Sequence, residues 1–277
     1  GWMNIVTVVV GGTMTDWRDN DISDLQTAVQ LLENPGLIAK ISDLVGTPIE
    51  ALFKSLPSGA GDKIATVTHK SLAAAVNAAV WTMKPHDRVA PWSKAHLAAA
   101  GFAGGIGGAF GLAALPIELP VTTTIIMRSI ADIARSEGEN VLAPETRLAC
   151  LEVFAMGGPS KDDDAAESGY FAVRAALGQA VSEAARYVAR RAVIEDGAPV
   201  IVRLLAQVAA RFNAVVGEKI MAQGVPVIGA VGGATVNVLF IEHFQDMARG
   251  HFIVRRLERV YGEKAVRGKY EELVAGE

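Results

Sequence analysis

Two long stretches without a charged residue constrain the fold of this chain more than any other feature. The first runs from Leu97 to Ile117 and the second from Gly224 to Ile241. Both contain glycine pairs of the form G-x-x-x-G, which leave a helix face flat enough for another backbone to approach closely. A glycine inside a helix costs about 0.5–1 kcal/mol relative to alanine, so close packing must offset it. The sequence therefore predicts two glycine-rich apolar helical hairpins.

These hairpins have three interpretations: a buried hairpin in a helical bundle, a segment in reversible contact with a membrane, and a full membrane span. A span needs about 20 apolar residues, which the first stretch just reaches. Against a span, glycine is weakly hydrophobic, and Pro116, Glu118 and Pro120 stand at its end. In the membrane interpretation, the lipid-contacting glycines are Gly104, Gly108, Gly229 and Gly233.

The rest of the chain reads as helix, with no strand–helix alternation that would indicate an α/β fold. The sequence Ser23-Asp24-Leu25-Gln26 has the form of a capping box and predicts a helix start at Ser23. Glycine and proline predict where further helices end or begin, among them helix ends near Val216 and Tyr261. We therefore expect a mainly α fold, a single multi-helix bundle.

Residues 1–20 form an N-terminal arm in this prediction, followed by one helical domain over residues 21–277. Gly1 and Trp2 precede Met3 and look like the remnant of a tag. The apolar run from Ile5 to Val10 has no basic flank or cleavage site, so we expect a short strand or extended arm and not a signal peptide. No stretch reads as a linker between two domains.

Charge and cysteine content narrow the class of function. The net charge is −4 with a pI near 5.8 and a mean hydropathy of +0.29. A chain of this charge is unsuited to non-specific binding of nucleic acid, which requires a basic surface. Cys150 is the one cysteine, which fits a reducing compartment. We expect a cytoplasmic protein, peripheral at the inner face of the plasma membrane.

Several polar residues fall on apolar helix faces and form the predicted polar site. Glu118, Thr122, Ser129 and Asp132 follow one stripe of a helix. The candidate site residues are Glu118, Thr122, Glu152, Asn237, His243 and Asp246. A buried carboxylate costs several kcal/mol unless it is paired, protonated or bound to a cation.

Two interpretations of this polar site remain. Glu118, Glu152, His243 and Asp246 would be the ligands of a helical-bundle metal site, although no H-E-x-x-H motif is present. The simpler interpretation is a set of hydrogen-bond networks with Arg128 or Arg147 as counter-charges, without a cofactor. His251 is expected to cap a helix or pack near the surface.

Basic residues cluster after the second uncharged stretch. In the membrane interpretation, Arg255, Arg256 and Arg259 contact anionic lipid headgroups, each contributing about 1 kcal/mol. In the simpler interpretation they complement the dipole at a helix C-terminus.

Several sequence blocks, in order, resemble the EcsC family. They are Glu118–Thr124, Arg128–Ala134, Glu145–Phe154, Ala166–Tyr170, Val225–Ala230, Asn237, His243-Phe244 and Met247–Phe252. The similarity covers roughly residues 33–261. It implies a bacterial protein linked to membranes and secretion, from a family named for an operon that encodes an ABC transporter. The resemblance implies no catalytic residues.

Three functional hypotheses follow. In the first, the protein binds the membrane surface, a lipid or another apolar ligand through its glycine-rich hairpins, in support of transport or secretion. In the second, it is a metal-binding or hydrolytic enzyme centred on the polar site. In the third, it is an adaptor that associates with itself or with a membrane transporter subunit.

Overall fold

The computed structural model describes residues 6–10, 13–33, 37, 40, 59–82, 114–158, 169–191, 198–223 and 229–276. Within these residues the chain is mainly α, as predicted, with eight α-helices in one bundle and a β-hairpin before them. The helices are α1 (Asp19–Glu33), α2 (Ala60–Thr82), α3 (Leu115–Ser136), α4 (Pro144–Glu152), α5 (Gly169–Arg191), α6 (Pro199–Gln223), α7 (Gly229–Tyr261) and α8 (Glu263–Ala275).

The N-terminal arm is a β-hairpin. Strand β1 (Val6–Val10) pairs antiparallel with β2 (Thr13–Trp17), and Val6 lies opposite Trp17. Trp17 is buried and stacks on Tyr261 at the end of α7, with ring centroids 4.2 Å apart. The predicted short strand is confirmed, and an aromatic stack attaches it to the bundle.

Two predicted helix boundaries are wrong. Helix α1 begins at Asp19, one turn before Ser23, and carries Asp19 and Asp21 in its first turn, where carboxylates favour the positive end of the helix dipole. Helix α6 continues to Gln223 and does not end near Val216. Its last turns are buried against other helices, so tertiary packing extends it beyond the sequence signal.

Helix α7 forms the centre of the bundle and packs against α1, α3, α6 and α8. Four buried aromatic rings from α6, α7 and the 3₁₀ turn after α4 form the middle of the core, with centroids 5.0–6.1 Å apart: Phe154, Phe212, Phe240 and Phe244. A Cβ on Gly250 would lie 2.5 Å from Leu32 Cγ. Glycine at this position therefore permits α1 and α7 to approach closely.

Candidate functional site: a buried ion pair at an apolar end of the bundle

A buried ion pair joins the first turns of α3 to the last turns of α6. Lys219 Nζ donates a hydrogen bond to Glu118 Oε1, and the two side chains are 0% and 5% exposed. Thr122, one turn after Glu118, donates to the same carboxylate oxygen at 3.3 Å. Farther along α3, Ser129 is also buried and accepts a hydrogen bond from Gln245 at 2.9 Å. Three residues of the predicted polar stripe of α3 therefore face the interior, whereas the fourth, Asp132, is 27% exposed and pairs with Arg135 at 2.7 Å.

Helix α7 provides a third side of this site. Lys219 Nζ lies 4.7 Å from the centroid of the Phe240 ring, which is the geometry of a cation–π interaction. Asn237, one turn before Phe240, is fully buried. Burial lowers the pKa of Lys219, whereas the Glu118 carboxylate raises it. The Glu118 carboxylate and the face of the Phe240 ring thus contact the Lys219 ammonium group in place of water.

Three helix segments meet at this ion pair, and none of them exposes a charged side chain. They are residues 116–127 of α3, 212–222 of α6 and 234–241 of α7, and together we call them the apolar end. Their charged residues, Glu118, Glu218 and Lys219, are all buried. Burial also raises the pKa of Glu218 to about 7. At this end the ionisable groups face inward, which is the reverse of an ordinary surface helix.

The outward side of the apolar end is apolar or uncharged. On α3, Ile117 is 77% exposed and Val121 is 48% exposed. Pro116 lies beside them and is exposed as well. On α7, Val238 and Leu239 are partly exposed. The first charged residue with an outward position on α3 is Arg128, two turns after Val121.

One helix within the described residues, Pro199–Ala222 of α6, is long and apolar enough to cross a membrane by length and composition alone. Less than half of its most apolar part is buried within the described residues. A core helix of a water-soluble protein meets the same criterion. The sequence-based prediction had placed the membrane contact in the glycine-rich stretches instead.

Glu152 belongs to a second polar cluster, between α4, α5 and α7. Burial raises the pKa of Glu152 to about 7, although the positive charges of Arg174 and Arg255 lower it and Glu258 raises it further. Arg174 makes two hydrogen bonds to Glu258, at 2.6 and 3.2 Å. The predicted counter-charges were Arg128 and Arg147. The structure instead places Lys219 beside Glu118, and the charges that act on Glu152 are those of Arg174 and Arg255.

The centre of this second cluster is a pair that the sequence did not reveal. The Tyr170 hydroxyl lies 3.0 Å from His251 Nδ1 and accepts a hydrogen bond from Arg174 at 3.3 Å. With Arg174 as donor, the Tyr170 proton is left to donate to His251 Nδ1. His251 is fully buried, and burial lowers its pKa well below the ordinary value. The prediction of a surface position for His251 is wrong.

His243 occupies a separate place, against the turn that follows α4. The ring is 2% exposed, and burial lowers the pKa of His243 to about 4, with a contribution from Lys40. Gly157 has φ +71°, and a Cβ there would lie 2.4 Å from His243 Nε2. Among the described residues, Nε2 has no hydrogen-bond partner in good geometry. The imidazole is therefore held neutral in a close-fitting site.

Asp246, one turn after His243, is partly exposed and paired with cations. Lys40 Nζ lies 3.4 Å from one carboxylate oxygen, and Arg249 donates to the other at 3.0 Å. Glu118, Glu152, His243 and Asp246 thus have different partners. No group of three or more His, Cys, Asp and Glu side chains in the described part of the chain is close enough to hold a metal ion. The metal-site hypothesis gains no support from these residues.

The residues predicted to contact lipid lie in different parts of the chain. Gly104 and Gly108 lie outside the described residues, and Gly229 and Gly233 belong to the first two turns of α7. The three arginines, Arg255, Arg256 and Arg259, lie at the other end of α7, so they are not part of the apolar end.

These arginines hold the bundle together and do not form a free basic face. Arg255 pairs with Glu139 at 2.9 Å, and Arg259 pairs with the same carboxylate. Arg256 contacts three carboxylates, at 2.6, 2.8 and 3.4 Å. We call this group the arginine clasp, and its acidic members are Asp21, Asp24, Glu137 and Glu139. It ties α7 to α1 and to the α3–α4 connection.

Comparison with known proteins gives one match. The family model of the EcsC protein family matches residues 25–257, which is well over half of the chain. No curated protein and no solved structure matches it. The matched region contains the buried ion pair, the apolar end and the Tyr170–His251 pair. This chain belongs to the EcsC protein family.

Proposed function

We propose that the protein associates with a lipid membrane through the apolar end of its bundle, at the cytoplasmic face. The observation that carries the proposal is the inverted polarity of α3 where it begins. Ile117 and Val121 face outward, whereas Glu118 and Thr122 face inward to Lys219. Ionisable residues that face a bundle interior and pair with each other are typical of helices whose outer surface contacts lipid.

The sequence that precedes α3 also supports the proposal. Ile117 is the last residue of the uncharged stretch that begins at Leu97, so the sequence that leads into α3 is apolar throughout. Contiguous apolar surface that faces water is unfavourable, and large patches mark interaction sites.

A vesicle co-sedimentation experiment tests the proposal with charge substitutions on the outer face of α3. Ile117→Asp and Val121→Asp put a carboxylate where lipid contact is expected, without touching the buried pair. Val202→Asp is the matched control, because Val202 is 44% exposed and lies near the opposite end of α6, outside the apolar end. Circular dichroism establishes that each variant is folded.

The outcomes separate the proposal from its rivals. We expect the wild type and Val202→Asp to bind vesicles and the two α3 variants to lose binding. Loss in Val202→Asp with binding intact in the α3 variants would assign the contact to the outer face of α6 and overturn the proposal. A wild-type protein that binds no vesicle, and forms a dimer that both α3 variants disrupt, would make the apolar end an interface between copies, as the adaptor hypothesis requires.

A further inference from the structure

We infer that the apolar end contacts an electrically neutral, zwitterionic lipid surface and that acidic headgroups add nothing to its affinity. The inference rests on the proposed function, because it specifies the chemistry of the membrane that the apolar end meets. It also reverses the expectation from sequence, in which arginines of α7 contact anionic lipid.

The arginines named for that role are engaged within the protein. Arg255 and Arg256 are 26% and 27% exposed, and each is paired with at least one carboxylate of the arginine clasp. Arg259 is 44% exposed and shares Glu139 with Arg255. Arg18 also pairs with Asp21, at 2.8 Å, so four arginines meet four carboxylates and the clasp as a whole is electrically neutral. A group with this balance does not attract an anionic surface.

The three described segments of the apolar end expose no cation; beside them, α2 packs against α3 and α6 and exposes Lys70, two residues after Thr68, which donates a hydrogen bond to Asn213. Lys219 is its one basic residue within the three described segments, and its side chain is 0% exposed and bound to Glu118. Arg128 is the nearest outward cation along α3, and it lies two turns after Val121. The whole chain carries a net charge of −4. An acidic membrane would therefore repel the protein weakly or leave it unaffected.

The expected vesicle affinities distinguish attraction of arginines to acidic lipid from burial of apolar side chains in lipid. A free basic residue near an acidic membrane raises affinity about fivefold, and this gain is lost when salt screens the charges. Burial of exposed apolar side chains such as Ile117 and Val121 in lipid does not depend on headgroup charge. If three free arginines contributed, the affinities for acidic and neutral vesicles would differ by about a hundredfold at low salt.

The test measures binding of the full chain to two kinds of vesicle, phosphatidylcholine alone and phosphatidylcholine mixed with phosphatidylglycerol, at low and high sodium chloride. Ile117→Asp and Arg259→Gln are compared with the wild type. We expect the wild-type affinity to vary by less than about twofold across the four conditions. Ile117→Asp should lose binding to both vesicles, and Arg259→Gln should bind like the wild type.

Each contrary result has a distinct meaning. Binding that requires phosphatidylglycerol, is released by salt and falls in Arg259→Gln would overturn the inference and leave membrane association standing. A protein that binds neither vesicle would remove the proposed function and the inference with it.

Discussion

Lys219 holds two neighbouring helices at once: its ammonium group donates to Glu118 on α3 and lies 4.7 Å from the Phe240 ring centroid on α7. Helix α6 is thereby joined to the starts of the two helices that complete the apolar end. These contacts are part of the tertiary packing that extends α6 past its predicted end.

The ion pair predicts an asymmetric response to substitution. Lys219→Met should destabilise the protein by about 3–5 kcal/mol, because the Glu118 carboxylate is left buried without its countercharge. Glu118→Gln combined with Lys219→Met should recover most of that loss, since no charge remains to be buried. Chemical denaturation of the two variants and of the wild type measures both effects. Equal stability of the wild type and Lys219→Met would show that the pair is not buried as described.

Glu152 predicts a pH dependence of stability. Its folded-state pKa is raised to about 7, above the ordinary value near 4.3 in an unfolded chain. The stability that the protonated carboxyl contributes is therefore fully present below that ordinary value and is lost as pH rises through about 7. Glu152→Gln should thus melt progressively higher than the wild type as the buffer goes from about pH 5 to about pH 8.

Calorimetry at several pH values checks this expectation. Glu145→Gln, an exposed position on the same helix α4, controls for the change of side chain. Arg174, Arg255 and Glu258 surround Glu152 electrostatically and remain in place in both variants. A constant difference between Glu152→Gln and the wild type across this range would contradict the raised pKa.

The turn after α4 predicts a strict requirement for glycine. Gly157→Ala would place a methyl group 2.4 Å from the His243 ring while the backbone keeps φ +71°. Gly59→Ala is the matched control, because Gly59 has φ +80° and a methyl group there meets nothing within 4 Å. We expect a cost of about 1–2 kcal/mol for the control, from backbone strain alone, and a clearly larger cost for Gly157→Ala. Similar melting temperatures for the two variants would contradict the close fit around His243.

The crossing of α1 and α7 predicts opposite effects for two glycines within helices. Gly250→Ala should destabilise the protein by about 1–3 kcal/mol, since the new methyl group overlaps Leu32. Gly178→Ala on α5 meets nothing within 4 Å and should stabilise the protein by about 0.5–1 kcal/mol through helix propensity. Thermal unfolding measures both. A stabilised Gly250→Ala would mean that the two helices are farther apart than described.

Much of the fold follows from local sequence signals. Glycine predicted the helix end near Tyr261, where Gly262 has φ +83°, a backbone conformation that suits glycine. The spacing of Glu118, Thr122, Ser129 and Asp132 predicted one polar stripe, because helical periodicity fixes which residues share a face. The first three are buried and Asp132 is partly exposed. These signals are local and need no knowledge of neighbouring helices.

The partners in the site could not be predicted in the same way. Lys219 is 101 residues from Glu118, and nothing in its own neighbourhood in sequence marks it as buried. Tyr170 and His251 are separated by 81 residues. Only the packing of α5 against α7 gives each of them a buried polar partner. Pairing across helices depends on tertiary structure, so the sequence could not show that the four candidate metal ligands, Glu118, Glu152, His243 and Asp246, have different neighbours.

The outward isoleucine and valine of α3 also affect any attempt to make the protein more soluble by mutation. Replacing Ile117 or Val121 with an acidic residue would raise yield and reduce aggregation, since each is a bare hydrocarbon exposed to solvent. Screens for solubility would therefore select against the very surface that the proposed activity uses. A well-behaved variant of this kind would be a poor guide to what the native molecule does in a cell.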